Sequence, residues 1–96
     1  MDAVKAAPES ATVLMENDRV RVLDVKFKPG QKTIMHSHPD HVIYVLKDGK
    51  LKINLPNGTS NEVNLKAGQV VWMKAGDHAV ENLSKASANN LIIELK

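Results

Sequence analysis

Three of the four histidines lie within the six-residue segment HSHPDH, and the fourth stands alone near the C-terminal end. His36 and His38 are two residues apart, so on a β-strand both side chains point to one face, about 6.6–6.8 Å apart along the strand. Two imidazoles at that spacing can bind one metal ion, or they can form a hydrogen-bonded pair in a polar patch. A metal site needs a further ligand from another strand, and His78, which follows a glycine-containing turn, is the candidate.

Composition narrows the kind of site that the chain can build. There is no cysteine among the 96 residues, so disulfides, thiolate metal ligands and thiol nucleophiles are excluded, and a metal would have imidazole and oxygen ligands. The net charge is only +2 and no run of basic residues occurs, so we expect no nucleic-acid partner. No apolar run reaches transmembrane length and no secretion signal is visible, which predicts a soluble cytoplasmic protein without membrane contact.

The segments that must position these histidines are predicted to be short β-strands. Leu23, Val25 and Phe27 alternate on one face of the run Arg19–Phe27, and Asn57-Gly58 is a strong hairpin signal. About eight or nine such runs are separated by turn residues, which predicts an all-β protein with a closed or double-sheet architecture. Residues 1–10 are expected to be a flexible arm or a strand lent to a neighbour, and Ala86–Asn90 a polar loop.

Two segments, residues 30–49 and 68–82, carry motifs that resemble those of the cupin superfamily. The first has a glycine, five residues, His-x-His and a closing glycine; the second ends in a histidine followed three residues later by asparagine. The matching residues are Gly30, His36, His38 and Gly49, then Gly68, Gly76, His78 and Asn82. Lys74 stands where proline is usual, and one residue is missing before His78. The resemblance implies one domain over residues 1–96, a small single-domain cupin with an RmlC-like jelly-roll β-barrel, or double-stranded β-helix.

The glutamate that usually completes the cupin metal site is absent. Counted from His38 and Gly49, its position is Val42; aligned on the frequent Tyr-Val-Leu that starts at Tyr44, it is His41. A one-residue shift turns the opposite face of the strand inward, so the two alignments exclude each other. The metal ligands expected from the resemblance are therefore His36, His38 and His78, with or without His41.

The resemblance implies a site for one divalent transition metal, with Zn, Fe, Cu, Ni and Mn as the candidate ions. One hypothesis is a dioxygenase-type enzyme acting on a small molecule; an isomerase is less favoured because no general acid or base is visible beyond the histidines. A second is a non-enzymatic module that binds a metal or small ligand. A third is a protein that binds no metal. An open three-histidine site would favour the enzyme, and a closed four-histidine site the binding module.

The remaining polar and apolar side chains fit a solvated strand surface. We expect Glu81 to face away from the interior, and Glu94, Asp24 and Lys26 to face solvent, while Trp72 and Met35 could line the pocket or pack in the core. Single-domain cupins commonly pair through their sheets, so the resemblance implies a homodimer. The run Ala11–Glu16 is the expected donor strand.

Overall fold

Nine β-strands and one short helix make up the structure, a computed structural model that describes residues 1–96. The all-β class predicted from the sequence is confirmed. In chain order the elements are α1 (Ala3–Ala6), β1 (Ala11–Glu16), β2 (Val20–Phe27), β3 (His36–His38), β4 (His41–Val45), β5 (Gly49–Asn54), β6 (Ser60–Leu65), β7 (Val70–Met73), β8 (Gly76–Asn82) and β9 (Ala88–Leu95).

The strands form two antiparallel sheets, one with the order β1-β2-β9-β4-β7 and the other with the order β3-β8-β5-β6. No strand belongs to both sheets, so of the closed and double-sheet architectures expected from the sequence the structure has the second. The jelly roll, or double-stranded β-helix, is confirmed, with two sheets that do not close into a barrel. Pro39 and Asp40 carry the chain from β3 in one sheet to β4 in the other.

The core lies between the sheets and follows the period-two alternation. Leu23, Val25 and Phe27 on β2 are buried as predicted, and Val45 and Ile92 pack with them from the same sheet. Each such side chain contributes about 1.5–3 kcal/mol of burial free energy. The strand β9 begins at Ala88, because Ala88 and the next residue pair with the end of β2; the polar loop expected to run through residue 90 therefore ends earlier.

Residues 1–10, expected to be a flexible arm or a lent strand, lie against their own chain. Asp2 caps the one-turn helix α1 by accepting hydrogen bonds from the backbone N–H groups of Val4 and Lys5 at 3.0 and 3.4 Å. The Met1 carbonyl accepts the N–H of Ser37 at 2.6 Å, between the two histidines of β3. The N-terminal residues therefore hold one side of the histidine strand, while β8 pairs with the other.

The outer face of the five-stranded sheet is unusually apolar. Trp72 on β7 lies opposite Val42 on β4, which in turn lies opposite Ile93 on β9, and Val70 lies opposite Tyr44. Val70 and Trp72 are 64% and 53% exposed. This surface, called the outer apolar face below, points away from the interior that holds the histidines. No helix in the structure has the length and apolar character needed to cross a membrane.

Candidate metal site

Three of the histidines meet inside the fold. His36 and His38 both point inward from β3, and His36 lies directly opposite His78 in the register of β3 with β8. One ring nitrogen from each of the three lies within 4.8 Å of the others, which is close enough to bind a single ion. The ring centroids of His36 and His78 are 4.7 Å apart. The centroid of His38 is 5.0 Å from each of these two. The cross-strand cluster expected from the His-x-His spacing is thus formed.

The hydrogen bonds of these rings fix which nitrogen stays free. His36 Nδ1 lies 2.8 Å from the Ile34 carbonyl, and His38 Nδ1 lies 2.7 Å from Glu94 Oε2. A carbonyl and a carboxylate only accept hydrogen bonds, so each Nδ1 carries a proton, and Nε2 is the nitrogen left to bind a metal. Metal-binding histidines are oriented in this way, with the second ring N–H donated to a carboxylate or carbonyl.

His41 also faces inward, whereas Val42 lies on the opposite face of β4. The side chain of His41 is 2% exposed, and its ring centroid is 4.7 Å from that of His38. Its Nδ1 lies 2.8 Å from the Pro39 carbonyl, and its Nε2 is buried without any hydrogen-bond partner. A buried acceptor left unpaired costs about 1–3 kcal/mol, so this atom marks a place where a bound group belongs.

The surroundings keep His36, His41 and His78 uncharged at neutral pH, because the pKa of each is lowered. Burial, followed by the neighbouring rings of His38, His36 and His41, lowers the pKa of His78 to about 3. Burial is also the main reason that the pKa values of His36 and His41 lie below the ordinary value. A histidine must be deprotonated to bind a metal, so the site needs no proton release from these three rings at pH 7.

A network of charged side chains, Glu94, Arg21 and Asp2, is hydrogen-bonded to the cluster through His38. Glu94 accepts from His38 and also from Arg21, whose Nε and Nη2 lie 2.7 and 2.6 Å from Oε1. Arg21 in turn donates to Asp2, the cap of α1, at 2.5 Å. Burial alone would raise the pKa of Glu94, but the hydrogen bonds from His38 and Arg21 outweigh it and the pKa is lowered. Glu94 is therefore an anion at neutral pH.

The sequence-based expectation for Glu94 was wrong. It is buried, with 3% of the residue exposed, rather than solvent-facing, because it shares the inward parity of Ile92 on β9 and meets Arg21 directly across from it on β2. Two further expectations fail more simply: Trp72 and Met35 are exposed and do not line the cavity beside the histidines. Arg21 and Asp2 were not identified from the sequence at all.

The donor set fits a divalent transition metal. It offers three convergent imidazoles, a fourth with an orphaned buried Nε2, and no carboxylate ligand. Such nitrogen-only ligands suit Zn, Cu, Fe and Ni better than hard cations such as Mg or Mn. Glu94 supplies a negative charge next to the cluster. It is hydrogen-bonded to His38 and is not itself one of the convergent residues.

A small apolar cavity of about 120 Å³ lies beside the histidines. All four rings line it together with aliphatic side chains from both sheets, among them Ile43, Leu51 and Ile92. The polar lining apart from the histidines comes from Thr33 and Asn90. A molecule in this cavity would meet the imidazole nitrogens at one end and aliphatic walls elsewhere.

The strands that carry the four histidines match known proteins in sequence and in structure. A family model described as a cupin domain matches residues 23–94, which include all four histidines and Glu94. The Beta-alanine degradation protein BauB of Pseudomonas aeruginosa is 37% identical over 82 residues, covering 84% of this chain and 83% of that protein. A cupin domain structure from Bordetella pertussis Tohama I has a TM-score of 0.83 at 33% identity, covering 90% of this chain and 91% of that one. A cupin superfamily protein from Desulfitobacterium hafniense DCB-2 has a TM-score of 0.66 at 22% identity, and the match covers 88% of this chain and 74% of that one. At this identity the similarity shows the fold alone.

Proposed function

Since this chain belongs to the cupin domain family, we propose that it binds one divalent transition metal through His36, His38 and His78 and acts on a small molecule beside it. The observation that carries the proposal is the convergence of three imidazoles, two of which have their Nδ1 protons already donated to Ile34 and Glu94. The three ligands come from two paired strands, so the site is formed by the fold rather than by a flexible loop.

Three protein ligands leave positions open for a substrate, as catalytic metal sites do. A metal bound there supplies a Lewis acid and a template for two reactants, which fits a dioxygenase-type reaction. The protein's own part is to hold the ring nitrogens in place and to exclude water with aliphatic walls. His41 offers its unpaired Nε2 on the same side, where it can accept a proton or hydrogen bond from a bound molecule.

The size of the cavity supports a small substrate. A cavity of about 150 Å³ holds benzene, with six non-hydrogen atoms, so about 120 Å³ suits a molecule of roughly that size or slightly smaller. The relative BauB is named for the degradation of β-alanine, itself a molecule of this size. We therefore propose a short aliphatic compound as the substrate class.

The variant His41→Ala tests whether the metal site is open. We expect it to retain about one zinc or iron ion per chain, because His36, His38 and His78 still converge. Metal content by mass spectrometry on untagged protein, after loading with each ion, gives the measurement. Oxygen uptake with short enolisable carbonyl compounds, comparing the variant with wild type, then tests the enzymatic part.

Loss of the metal in His41→Ala would instead favour a closed four-histidine shell. The orphaned Nε2 of His41, with its ring 4.7 Å from that of His38, is the observation that supports this second candidate, a non-enzymatic metal-binding module. A wild-type protein that takes up none of Zn, Fe, Cu or Ni would contradict both candidates.

We also propose that two copies associate through the outer apolar face, since exposed apolar patches of this kind mark interaction surfaces. Light scattering after size exclusion should then give twice the 10.5 kDa mass of one chain at micromolar concentration. Trp72→Lys places a charge in the middle of this face and should produce the monomer. Asn61→Lys, exposed on β6 of the other sheet, is the matched control. A wild-type monomer would contradict the proposal.

A further inference from the structure

Asn90 is a buried polar residue in the wall of the cavity. It points inward from β9, is 5% exposed, and lines the cavity together with the histidines. No hydrogen bond of its side chain is made within the chain, whereas its neighbour Asn89 donates to Asp24 and to the Val25 carbonyl at 2.7 and 3.1 Å. Buried amides are ordinarily hydrogen-bonded, so an unpaired one that faces a cavity indicates a ligand group there.

The position of Asn90 on β9 defines what that ligand must look like. The inward residues of this strand follow in the order Ala88, Asn90, Ile92 and Glu94, and Glu94 holds His38. Four residues of antiparallel strand span about 13–14 Å, so the amide lies well along β9 from the end of the strand that holds His38. Ile92 and other aliphatic side chains line the space between them.

We propose that Asn90 is the specificity-determining residue of this cavity, and that its ligand is a short unbranched aliphatic molecule with a metal-binding oxygen at one end and a hydrogen-bonding group at the other. The inference rests on the proposed metal site for the first end only. An amide both donates and accepts, so the far group can be a hydroxyl, a carbonyl or an amine. A purely aliphatic tail would leave the amide buried and unpaired.

A matched pair of probes tests the proposal on the zinc-loaded protein. Butanoate and 4-hydroxybutanoate share the carboxylate and the chain and differ in the terminal hydroxyl. We expect the hydroxylated probe to bind wild type about fivefold more tightly, the gain typical of one hydrogen bond. Nuclear magnetic resonance titration supplies both dissociation constants, and the side-chain amide signals of Asn90 should shift with the hydroxylated probe alone.

Asn90→Leu is a variant of nearly equal size that removes the amide. It should lose the preference for 4-hydroxybutanoate and bind butanoate at least as well as wild type does. Asn90→Ser, which keeps a polar group but shortens it, replaces Asn90→Leu if that variant does not fold, and should reduce the preference. A fivefold preference that persists in the variant, or wild type without any preference, would overturn the assignment.

Failure of the metal site has a different signature. If the protein takes up no zinc, the proposed function fails, and the role of Asn90 is then tested on the metal-free protein with 1-butanol and 1,4-butanediol. Shifts of the Asn90 amide signals with the diol, absent with 1-butanol, would support the role of Asn90 without the metal. Equal responses to both alcohols would overturn it.

Discussion

Replacement of His78 by alanine is expected to lower the affinity for zinc by more than about a hundredfold. Loss of a residue that only orients a metal ligand costs about 10–100-fold, and His78 is one of the three residues whose nitrogens converge. Of the three convergent residues only His36 and His38 then remain, both on one three-residue strand, and nothing else from β8 replaces the missing imidazole. His78→Ala should therefore be isolated nearly free of metal.

Competition with a chromophoric zinc chelator measures the affinity, and mass spectrometry gives the content as isolated. Glu81→Ala is the matched control, since this residue lies on the same strand but is not among the residues that line the cavity. The control should bind zinc as wild type does. Equal zinc affinities for His78→Ala and wild type would remove the cross-strand site.

The second large effect is expected for Glu94→Gln. Glu94 accepts from His38 on one oxygen and from Arg21 on the other. A glutamine has one accepting oxygen, so its NH2 group must face one of the two donors. Either Arg21 loses a partner in a buried place, or the ring of His38 changes tautomer and carries its proton on Nε2, where a metal would bind. We expect a loss of zinc affinity of about 10–100-fold.

Nitrogen-15 resonances of the His38 ring distinguish this positioning role from a general loss of structure. In wild type the proton should be on Nδ1, and in Glu94→Gln a substantial fraction should be on Nε2. Glu81→Gln makes the same chemical change on β8, away from the cluster, and should alter neither the tautomer nor the affinity. Unchanged zinc affinity in Glu94→Gln would show that the charged side chains of Glu94, Arg21 and Asp2 have no influence on the metal site.

The convergence of His36, His38 and His78 could be predicted from the sequence. Two residues of spacing put His36 and His38 on one face, which is local geometry, and the second motif places His78 on a strand that pairs with theirs. His41 was ambiguous for the opposite reason. Its direction depends on the register of β4 with β9, where it lies opposite Glu94, and that register is set by long-range packing.

The alternation of β2 and β9 already indicates that Arg21 and Glu94 face inward, although Glu94 was expected to face solvent. Arg21 has the inward parity of Leu23 and Val25, and Glu94 has that of Ile92, so alternation alone places both charges inside. A lone charge in an apolar strand is normally exposed, and the compensating partner is 73 residues away in the chain. Only the pairing of β2 with β9 brings these two opposite charges face to face.

The brevity of β3 has a consequence for the kinetics of metal exchange. This strand has three residues, pairs with β8 along one side, and is held on the other by the Met1 carbonyl through Ser37. Segments with so few hydrogen bonds open at low free-energy cost, well before the rest of a fold. Because two of the proposed ligands lie on this strand, we expect the rate at which an ion enters or leaves to depend on the opening of this sheet edge. The contact of Met1 with Ser37 should then affect the residence time of the ion, and the histidines its affinity.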